Sequence, residues 1–594
     1  MTSLLERPPP QDDPVHPRWV LGSRLTRIAP SKWVIGVLAL LVMALVLVPI
    51  GSMLVRVFFD GQRFTLSTFR DVFTNDGLYP ILGNTVLVVL LGSACAFVVG
   101  SLFAWVNERT DARIPWIGEL MPIAPLMIPA IAVAIGWVFL LAPKTGFLNV
   151  VLRIVLEPFG YHAADGPFNV FSLPGLILVY TFALTPYVYV VMAAGLRNID
   201  PALEEAARVS GKSSFSIFRR VTLPAIKPSV ATAWFLLGAK SLTMFSIPVV
   251  IGTGAGVTVL SVYIVRTVNF IYPPQIDDAM VLGLLVLVVI LVLWRLQARV
   301  IAKGHFATIG GKGARASRVR LGLGRYVAWV LIGAYLLAVT ILPLAGLVLV
   351  SLQSYWTPAV KWASLNLNNY RQVLFDQPII SASLQRSLIL GVVTATVVLT
   401  IAMLLQWLVR ESPGPVGRAI DGVSKLPAGV SSLVIGLGFI VVFAGPPFNL
   451  ATTVTILLLA YIVVHLPEAT ILAGGALGQV GRELTEASSV SGAGPGRTIR
   501  RVLFPLMRPG LAAGWALVFV LVIDELTVSA MLSGNSNSVV GFQLLFLYEY
   551  GLFPTLAALA TVVTAISLVV VGTVLVVLGR RSGVQALGRT RSGS

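Results

Sequence analysis

The stretch LEEAARVSGKSSFSIFRRVTLP, residues 203–224, recurs in register as LTEASSVSGAGPGRTIRRVLFP, residues 484–505. In both copies a Glu-Ala pair is followed by a glycine and then by a proline at the same spacing. Each copy is a polar segment between long apolar runs. A polar repeat inside an apolar chain predicts a surface that is used twice, which is typical of a docking site for a partner.

The composition around this repeat is that of a membrane protein. Of the 594 residues, 56% are hydrophobic and 11% are charged, whereas soluble domains carry about 25% charged residues. Apolar runs of about 20 residues can cross a bilayer as helices. The chain is therefore predicted to be an all-α polytopic membrane protein with about twelve transmembrane helices. The predicted spans are 33–57, 80–106, 120–142, 172–195, 228–251, 278–298, 326–352, 383–409, 426–444, 450–474, 509–533 and 554–578.

The basic residues are concentrated in three segments: before the first span, in the middle of the chain and at its end. The formal net charge is +18, and the positive-inside rule explains this excess better than nucleic-acid binding does. We therefore expect both termini and the central linker to be cytoplasmic. Cys95 is the only cysteine in the sequence and lies in an apolar run, so neither an intrachain disulfide nor a cysteine metal site is expected.

The duplication extends beyond the loop, because TLSTFRDVF at 65–73 matches NLNNYRQVL at 366–374 and Trp105 matches Trp407. Each half holds six predicted spans, so the halves should be parallel and related by a pseudo-two-fold axis along the membrane normal. The predicted organisation is a disordered cytoplasmic tail at 1–32, a first half at 33–298 with its loop at 201–224, a basic linker at 299–325, a second half at 326–579 with its loop at 482–505, and a basic tail at 580–594.

The loop sequence favours two short helices joined at glycine. Pro201 suits a helix start, and Gly211 suits the turn before the amphipathic segment SSFSIFRR. The tripeptide Gly-Lys-Ser at 211–213 is not a phosphate-binding loop, because Ala206 stands where that motif needs a glycine. The chain therefore has no nucleotide site of its own, and any energy it uses is expected from a separate ATPase or from an ion gradient.

The two loops resemble the EAA loops of binding-protein-dependent ABC importer permeases, and the likeness extends over nearly the whole chain. The resemblance implies a type I ABC importer permease fold in a bacterial plasma membrane. It also implies two ABC ATPase subunits in the cytoplasm and an external solute-binding protein, with no cofactor, metal site or enzymatic chemistry in the chain itself. The implied ATPase-coupling residues are Glu205, Ala206, Ala207, Gly211, Leu223 and Pro224, and in the second copy Glu486, Ala487, Ser488, Gly492, Phe504 and Pro505. Ser488 and Phe504 depart from the pattern, so the second surface is expected to bind less well or differently.

The cargo follows from resemblance alone. The fused form, with NVFSLPGLILVYTFALTPYVYV leading into the first loop, is most similar to ferric-iron permeases. Permeases for thiamine, aminoethylphosphonate or polyamines are the alternatives in the same class. A gradient-driven secondary transporter is the alternative of another class, although it leaves the repeated loops unexplained, and no ligand-spaced His or Asp cluster supports a membrane-embedded enzyme.

Three ionisable residues within the predicted spans are candidates for the translocation path. Lys240 lies in the fifth span, and Asp524 and Glu525 lie in the eleventh, its counterpart. Buried charges in a membrane either pair or face a polar cavity, so both a direct ion pair and a wet path remain open. Glu468 and His465 are predicted to pack against a loop, and Arg386 is predicted to be an interface anchor.

Overall fold

The computed structural model describes residues 30–60, 63–114, 124–302, 319–412 and 414–591, and it is almost entirely helical. Most of the tail predicted at 1–32 and positions 303–318 of the predicted linker lie outside the described residues. A two-stranded hairpin, β1 (Phe59–Asp60) and β2 (Arg63–Phe64), follows the first helix. The first half contains α1 (Pro30–Phe58), α2 (Ser67–Phe73), α3 (Leu78–Arg109), α4 (Ala130–Leu141), α5 (Phe147–Leu156), α6 (Leu173–Arg197), α7 (Pro201–Val209), α8 (Ser214–Ile217), α9 (Lys227–Thr243), α10 (Leu260–Asn269) and α11 (Ile276–Ala302).

The second half repeats this order of long and short helices. It contains α12 (Gly324–Ser351), α13 (Pro378–Glu411), α14 (Pro415–Lys425), α15 (Ser432–Phe439), α16 (Val454–Gly478), α17 (Arg482–Val490), α18 (Pro495–Thr498), α19 (Phe504–Asp524), α20 (Thr527–Leu532), α21 (Val540–Glu549) and α22 (Phe553–Arg591). The first helix of the repeated loop follows the same long helix in both halves: α7 comes between α6 and α9, and α17 comes between α16 and α19. The fold is all-α and polytopic, as predicted.

Within the part of the chain that the structure describes, fewer helices qualify as spans than the twelve that the sequence predicts. Within the described residues, nine helices are long and apolar enough to cross a membrane, or up to eleven if two bent pairs are each counted as one span. The predicted third span is represented there by α4, which has only 12 residues. Its counterpart at 426–444 belongs to a pair of helices bent by 100°. The third element of each half is therefore not a simple straight crossing.

The first helix of each half packs on the opposite half. Helix α1 contacts α15, and α12 contacts α4. A Cβ at Gly136 would lie 2.6 Å from the carbonyl oxygen of Pro343, and a Cβ at Gly438 would lie 2.9 Å from Pro49. Small residues allow helix backbones to approach closely, so these two glycines permit a pseudo-symmetric exchange that ties the halves together.

The predicted fifth and eleventh spans, 228–251 and 509–533, are not continuous helices. Helix α9 ends before Met244 (φ −66°, ψ 120°), and α19 ends before Glu525 (φ −69°, ψ 104°). These are the positions that the duplication aligns, and the breaks have nearly the same backbone geometry. Each break leaves a carbonyl without a helical partner, and a serine hydroxyl supplies one: Ser261 donates to Met244 O at 2.7 Å, and Ser529 donates to Glu525 O.

Two further helices, α10 and α21, follow these breaks and were not within any predicted span. Both have ten residues, too few for a full crossing, and most of their side chains are buried. They help to join the halves, since Asn269 Nδ2 donates to Ala530 O at 2.5 Å and Tyr548 Oη donates to Val250 O at 2.9 Å. The broken helices and the short buried ones thus lie where the two halves meet.

Candidate functional site: two docking loops and a polar cluster

We call the two repeated loops, residues 201–224 and 482–505, the docking loops after their predicted role. The first consists of a helix, a left-handed turn and a second short helix. Asp200 caps α7, its carboxylate accepting the Ala202 N–H at 2.9 Å. The helix ends at Val209, and Gly211, two residues later, has φ +75°. Around it the N–H groups of Gly211 and Lys212 donate to the carbonyls of residues 208 and 207 at 2.9 and 3.2 Å. Only glycine adopts this φ without strain, which confirms the turn predicted there.

The second docking loop repeats the turn in detail. Gly492 has φ +74°, and the Ala493 N–H donates to Ser488 O at 3.1 Å, as the Lys212 N–H does to Ala207 O. No atom lies within 4 Å of a Cβ built on either glycine. The demand for glycine in both loops therefore comes from the backbone and not from crowding.

Both loops expose apolar side chains at matching positions. Val209 and Val490, at the ends of α7 and α17, are each 89% exposed, and Leu203 and Leu484 are also exposed. The two loops therefore present the same apolar groups at the same positions. Most of the predicted coupling residues share this exposure: Glu205, Ala206, Gly211, Leu223, Glu486, Ala487, Gly492, Phe504 and Pro505 are exposed, whereas Ala207, Pro224 and Ser488 are half-buried.

Ser488, which stands where the first loop has an alanine, is accompanied by a second substitution in the same loop. Ser488 Oγ lies 2.8 Å from Thr498 Oγ1. In the first loop the two aligned residues are apolar, Ala207 and Ile217, and Ile217 is buried. The second loop therefore has a pair of bonded hydroxyls at the two positions where the first loop has apolar residues.

Sequence reasoning missed the residue that fastens the first loop, Glu204. This carboxylate is buried, accepts from Arg109 Nη1 at 3.2 Å and accepts from the Thr222 hydroxyl at 2.8 Å. Arg109 ends α3 and also donates to Leu196 O at 2.7 Å, at the end of α6. The available signal was the doubled glutamate of the first copy, where the second copy reads Thr485-Glu486.

The second loop lacks an ion pair equivalent to Arg109–Glu204; we call that ion pair the fastening of the first loop. Arg410 takes the place of Arg109, donating to Leu477 O at 3.3 Å and to Val480 O at 3.1 Å at the end of α16. Its Nη2 is buried without a hydrogen-bond partner. Thr485 occupies the position of Glu204 and bonds only locally, to Arg482 O at 2.7 Å. The arginine is present in both halves, but its carboxylate partner is present in one.

The intramembrane charges form a cluster that bridges the halves. The ion pair of Lys240 is with Glu468, at 4.0 Å, and not with Asp524 or Glu525. The pair joins α9 of the first half to α16 of the second, and both side chains are partly exposed, at 44% and 32%. Lys240 Nζ also lies 5.8 Å from the ring centre of Tyr187. The prediction that Glu468 packs against a docking loop is wrong, because its side chain reaches across the bundle toward Lys240.

The two acids of the eleventh span accept hydrogen bonds at helix starts. Asp524 Oδ1 accepts the Ala130 N–H at 2.8 Å, at the beginning of α4 in the other half. Glu525 Oε1 accepts the Val528 N–H at 3.0 Å, in the first turn of α20. Helix N-termini stabilise negative charge, which explains how both carboxylates are accommodated without direct pairing to Lys240.

Two other polar residues named from the sequence, His465 and Arg386, contact neighbouring parts of the helix bundle. His465 is 4% exposed and lies beside Tyr461, with 6.4 Å between the ring centres. Arg386 donates to Ser538 O at 3.2 Å, joining α13 to the segment before α21. Among the residues that the structure describes, no three His, Cys, Asp or Glu side chains are grouped so that they could hold a metal ion.

Comparison with known proteins agrees with this arrangement. The family model of the binding-protein-dependent transport system inner membrane component matches residues 96–304 and again 387–582. The ferric transport system permease protein FbpB of Actinobacillus pleuropneumoniae is 24% identical over 521 residues, which cover 86% of this chain and 73% of the relative. The probable ABC transporter permease protein y4fN of Sinorhizobium fredii is 27% identical over 87% of this chain and 90% of its own length.

A second ferric relative, the putative ferric transport system permease protein FbpB 1 of Haemophilus influenzae, is 24% identical over 83% of this chain and 76% of its own length. The two family matches together cover more than half of the chain, one in each half of the duplication. The chain therefore belongs to the binding-protein-dependent transport system inner membrane component family, as a fused permease that carries two copies of the family's domain.

Proposed function

We propose that this chain alone forms the transmembrane part of an ABC importer and that each docking loop receives one ABC ATPase subunit. The observation that carries the proposal is the repeated turn, with φ of +75° at Gly211 and +74° at Gly492, beside equally exposed valines at 209 and 490. Two surfaces with the same backbone and the same apolar group suit two copies of one partner. An external solute-binding protein would supply the cargo.

The proposed orientation puts the loops, the linker and both termini in the cytoplasm. The loops lie on the same side as the ends of α3 and α13, since Arg109 reaches Glu204 and Arg410 reaches the end of α16 just before α17. Basic residues concentrate beside these ends and in the linker, which favours the cytoplasmic face. ATP is available on that face.

The proposed path runs between the halves beside Lys240, Glu468, Asp524 and Glu525. Its support is that the Lys240–Glu468 and Asp524–Ala130 contacts both cross from one half to the other. Three carboxylates and one ammonium make the cluster acidic overall, which suits a cationic cargo. Ferric iron is the proposed cargo, because it agrees with this charge and with the names of relatives that match most of the chain.

The proposal is tested in liposomes that contain the chain, its ATPase and cargo-loaded binding protein. Val209→Glu and Val490→Glu put a charge on the two proposed contact points, and we expect ATPase binding and ATP-dependent uptake of radiolabelled ferric iron to fall together. Val416→Glu is the matched control, since Val416 is 66% exposed on α14, outside both loops.

Normal uptake by the double variant would contradict docking through the loops. Uptake that needs an ion gradient and no ATP would instead indicate a secondary transporter. Uptake of thiamine, aminoethylphosphonate or spermidine in place of iron would change the cargo and leave the docking proposal intact.

A further inference from the structure

A large apolar groove lies between the first docking loop and the membrane helices. Its volume is about 520 Å³, and it is open on one side. The walls come from α3, α6, α9 and the loop, with Val319 at one end. Residues that line it include Phe97, Ser101, Trp105, Met192, Phe218 and Leu223. We refer to it as the loop groove. Sites of this size with mostly apolar walls commonly hold small amphipathic ligands.

The position of the loop groove points to lipid. Helix α3 has an outer face of exposed apolar side chains, among them Leu90, Val98 and Leu102, which are 57%, 64% and 44% exposed. Such a face in a membrane protein contacts acyl chains. Leu102 also lines the loop groove, so the groove continues the lipid-facing surface up to the level of the loop.

The charges at the groove select the kind of lipid. Inside, the guanidinium of Arg109 is neutralised by Glu204 at 3.2 Å. Among the described residues that line the groove, the charged ones are Arg109, Arg208 and Glu204, so positive charge is in excess, and Arg208 is exposed. Basic pockets between transmembrane helices bind anionic lipid headgroups. A ligand that fits has an apolar chain for the walls and a negative headgroup for the positively charged end of the groove.

We infer that the loop groove is a binding site for one anionic phospholipid from the leaflet on the side of the loops. The acyl chain lies against Phe97, Trp105 and Met192, and the phosphate lies on the side of Arg208. A bound lipid would contact both α3 and the residues after Gly211, so its presence would stiffen the connection between the membrane helices and the loop.

The experiment uses the purified full chain without ATPase, so its result does not depend on the docking proposal. Native mass spectrometry with added phosphatidylglycerol or phosphatidylcholine measures bound lipid. We expect tighter binding of phosphatidylglycerol. Arg208→Gln should weaken its binding about fivefold and leave phosphatidylcholine unchanged, because one basic residue near an anionic headgroup contributes about that much. Ser101→Trp, which fills the groove, should remove one bound lipid of either kind.

Two matched variants serve as controls. Val98→Trp places the same ring on the same helix outside the loop groove, and Lys212→Gln removes a charge from the same loop away from it. Both should bind lipid as the parent does. Equal binding of the two lipids by the parent, unchanged binding in Ser101→Trp and Arg208→Gln, or an equal loss in Val98→Trp would each overturn the inference. If Ser101→Trp fails to fold, the headgroup preference of Arg208→Gln still decides.

Discussion

The two docking loops share a backbone but differ in how they are held. Both turn at a glycine of nearly the same φ and expose a valine to the same extent. In the first loop, the Glu204 carboxylate ties α7 to Arg109 of α3 and to Thr222. In the second loop, Thr485 stands in place of Glu204 and Leu503 stands in place of Thr222. Arg410 there keeps only its contacts with backbone carbonyls. The exposed shape of the loop is thus duplicated, while its link to the membrane helices is not.

This difference indicates that gene duplication preserved the geometry of the turn more strictly than the ion pair that holds the loop to the membrane helices. A turn depends on one residue with a permitted φ, and that requirement is local. An ion pair needs two residues far apart in sequence, and it loses its value when either one changes. We expect the first loop to follow movements of α3 more rigidly, and its amides to exchange with solvent more slowly than those of the second.

The largest effect should come from Glu204→Thr, which gives the first loop the residue of the second. Removing one partner of a buried ion pair typically costs about 3–5 kcal/mol, and Arg109 would be left uncompensated. We expect amide exchange in α7 to accelerate by more than tenfold and uptake to fall while the protein still reaches the membrane. Hydrogen-exchange mass spectrometry measures the exchange, an uptake assay measures transport, and membrane abundance shows whether the variant reaches the membrane.

Glu483→Thr, the same change at an exposed glutamate of the second loop, is the control and should leave exchange nearly unchanged. If exchange in α7 stays at the parental rate in Glu204→Thr, the fastening does not exist in solution and the comparison between the loops fails.

The next effect should come from the turns themselves. Valine at φ near +75° is strained by about 1–3 kcal/mol, so Gly211→Val and Gly492→Val should each misplace the short helix that follows. Uptake should fall about tenfold in Gly211→Val, and less in Gly492→Val, because the second loop is already loosely held.

The control is asparagine, which tolerates left-handed backbone better than other residues with side chains. Gly211→Asn should keep most of the uptake. A loss as severe as that of Gly211→Val would mean that the glycine is needed for closeness to a partner and not for its φ.

A smaller effect, in the opposite direction, should come from Thr485→Glu. The new carboxylate would lie where Glu204 lies in the first loop, and Arg410 has a buried Nη2 ready to donate to it. A hydrogen bond to a charged group typically adds 1 kcal/mol or more, so exchange in α17 should slow about fivefold. Thr485→Gln, of the same size but uncharged, should slow it less, and equal behaviour of the two variants would argue against an ion pair.

The smallest effect should come from the pair that joins the halves. Both Lys240 and Glu468 are partly exposed, and such pairs contribute about 0–1 kcal/mol. Lys240→Met and Glu468→Gln should therefore change thermal stability little, but each should change uptake if the pair lines the path. A double-mutant cycle on uptake should show coupling between them, whereas the same cycle with Asp524→Asn should show less. If the effects of Lys240→Met and Glu468→Gln on uptake are additive, the two residues do not interact during transport.

Much of the fold could be predicted from local properties of the chain. Hydrophobicity averaged over about 20 residues identifies spanning helices because the bilayer leaves the backbone no other partner than itself. The turn at Gly211 and the duplicated loop were predictable because a glycine, its preceding helix and the following amphipathic segment are neighbours in sequence. The helix–turn–helix of the loop could therefore be predicted, whereas the role of Glu204 could not, because its partner Arg109 is distant in sequence.

What only the tertiary structure decided are contacts between distant segments. The exchange of α1 and α12 between halves depends on Gly136 meeting Pro343 and on Gly438 meeting Pro49. The breaks after Thr243 and Asp524 lie inside apolar runs, because a serine hydroxyl from the following segment satisfies the freed carbonyl. Lys240 pairs with Glu468 and not with Asp524 or Glu525, because those acids lie at the starts of α4 and α20. A sequence shows which polar groups enter the membrane, but the partner that compensates each is chosen by the packing of the helices around it.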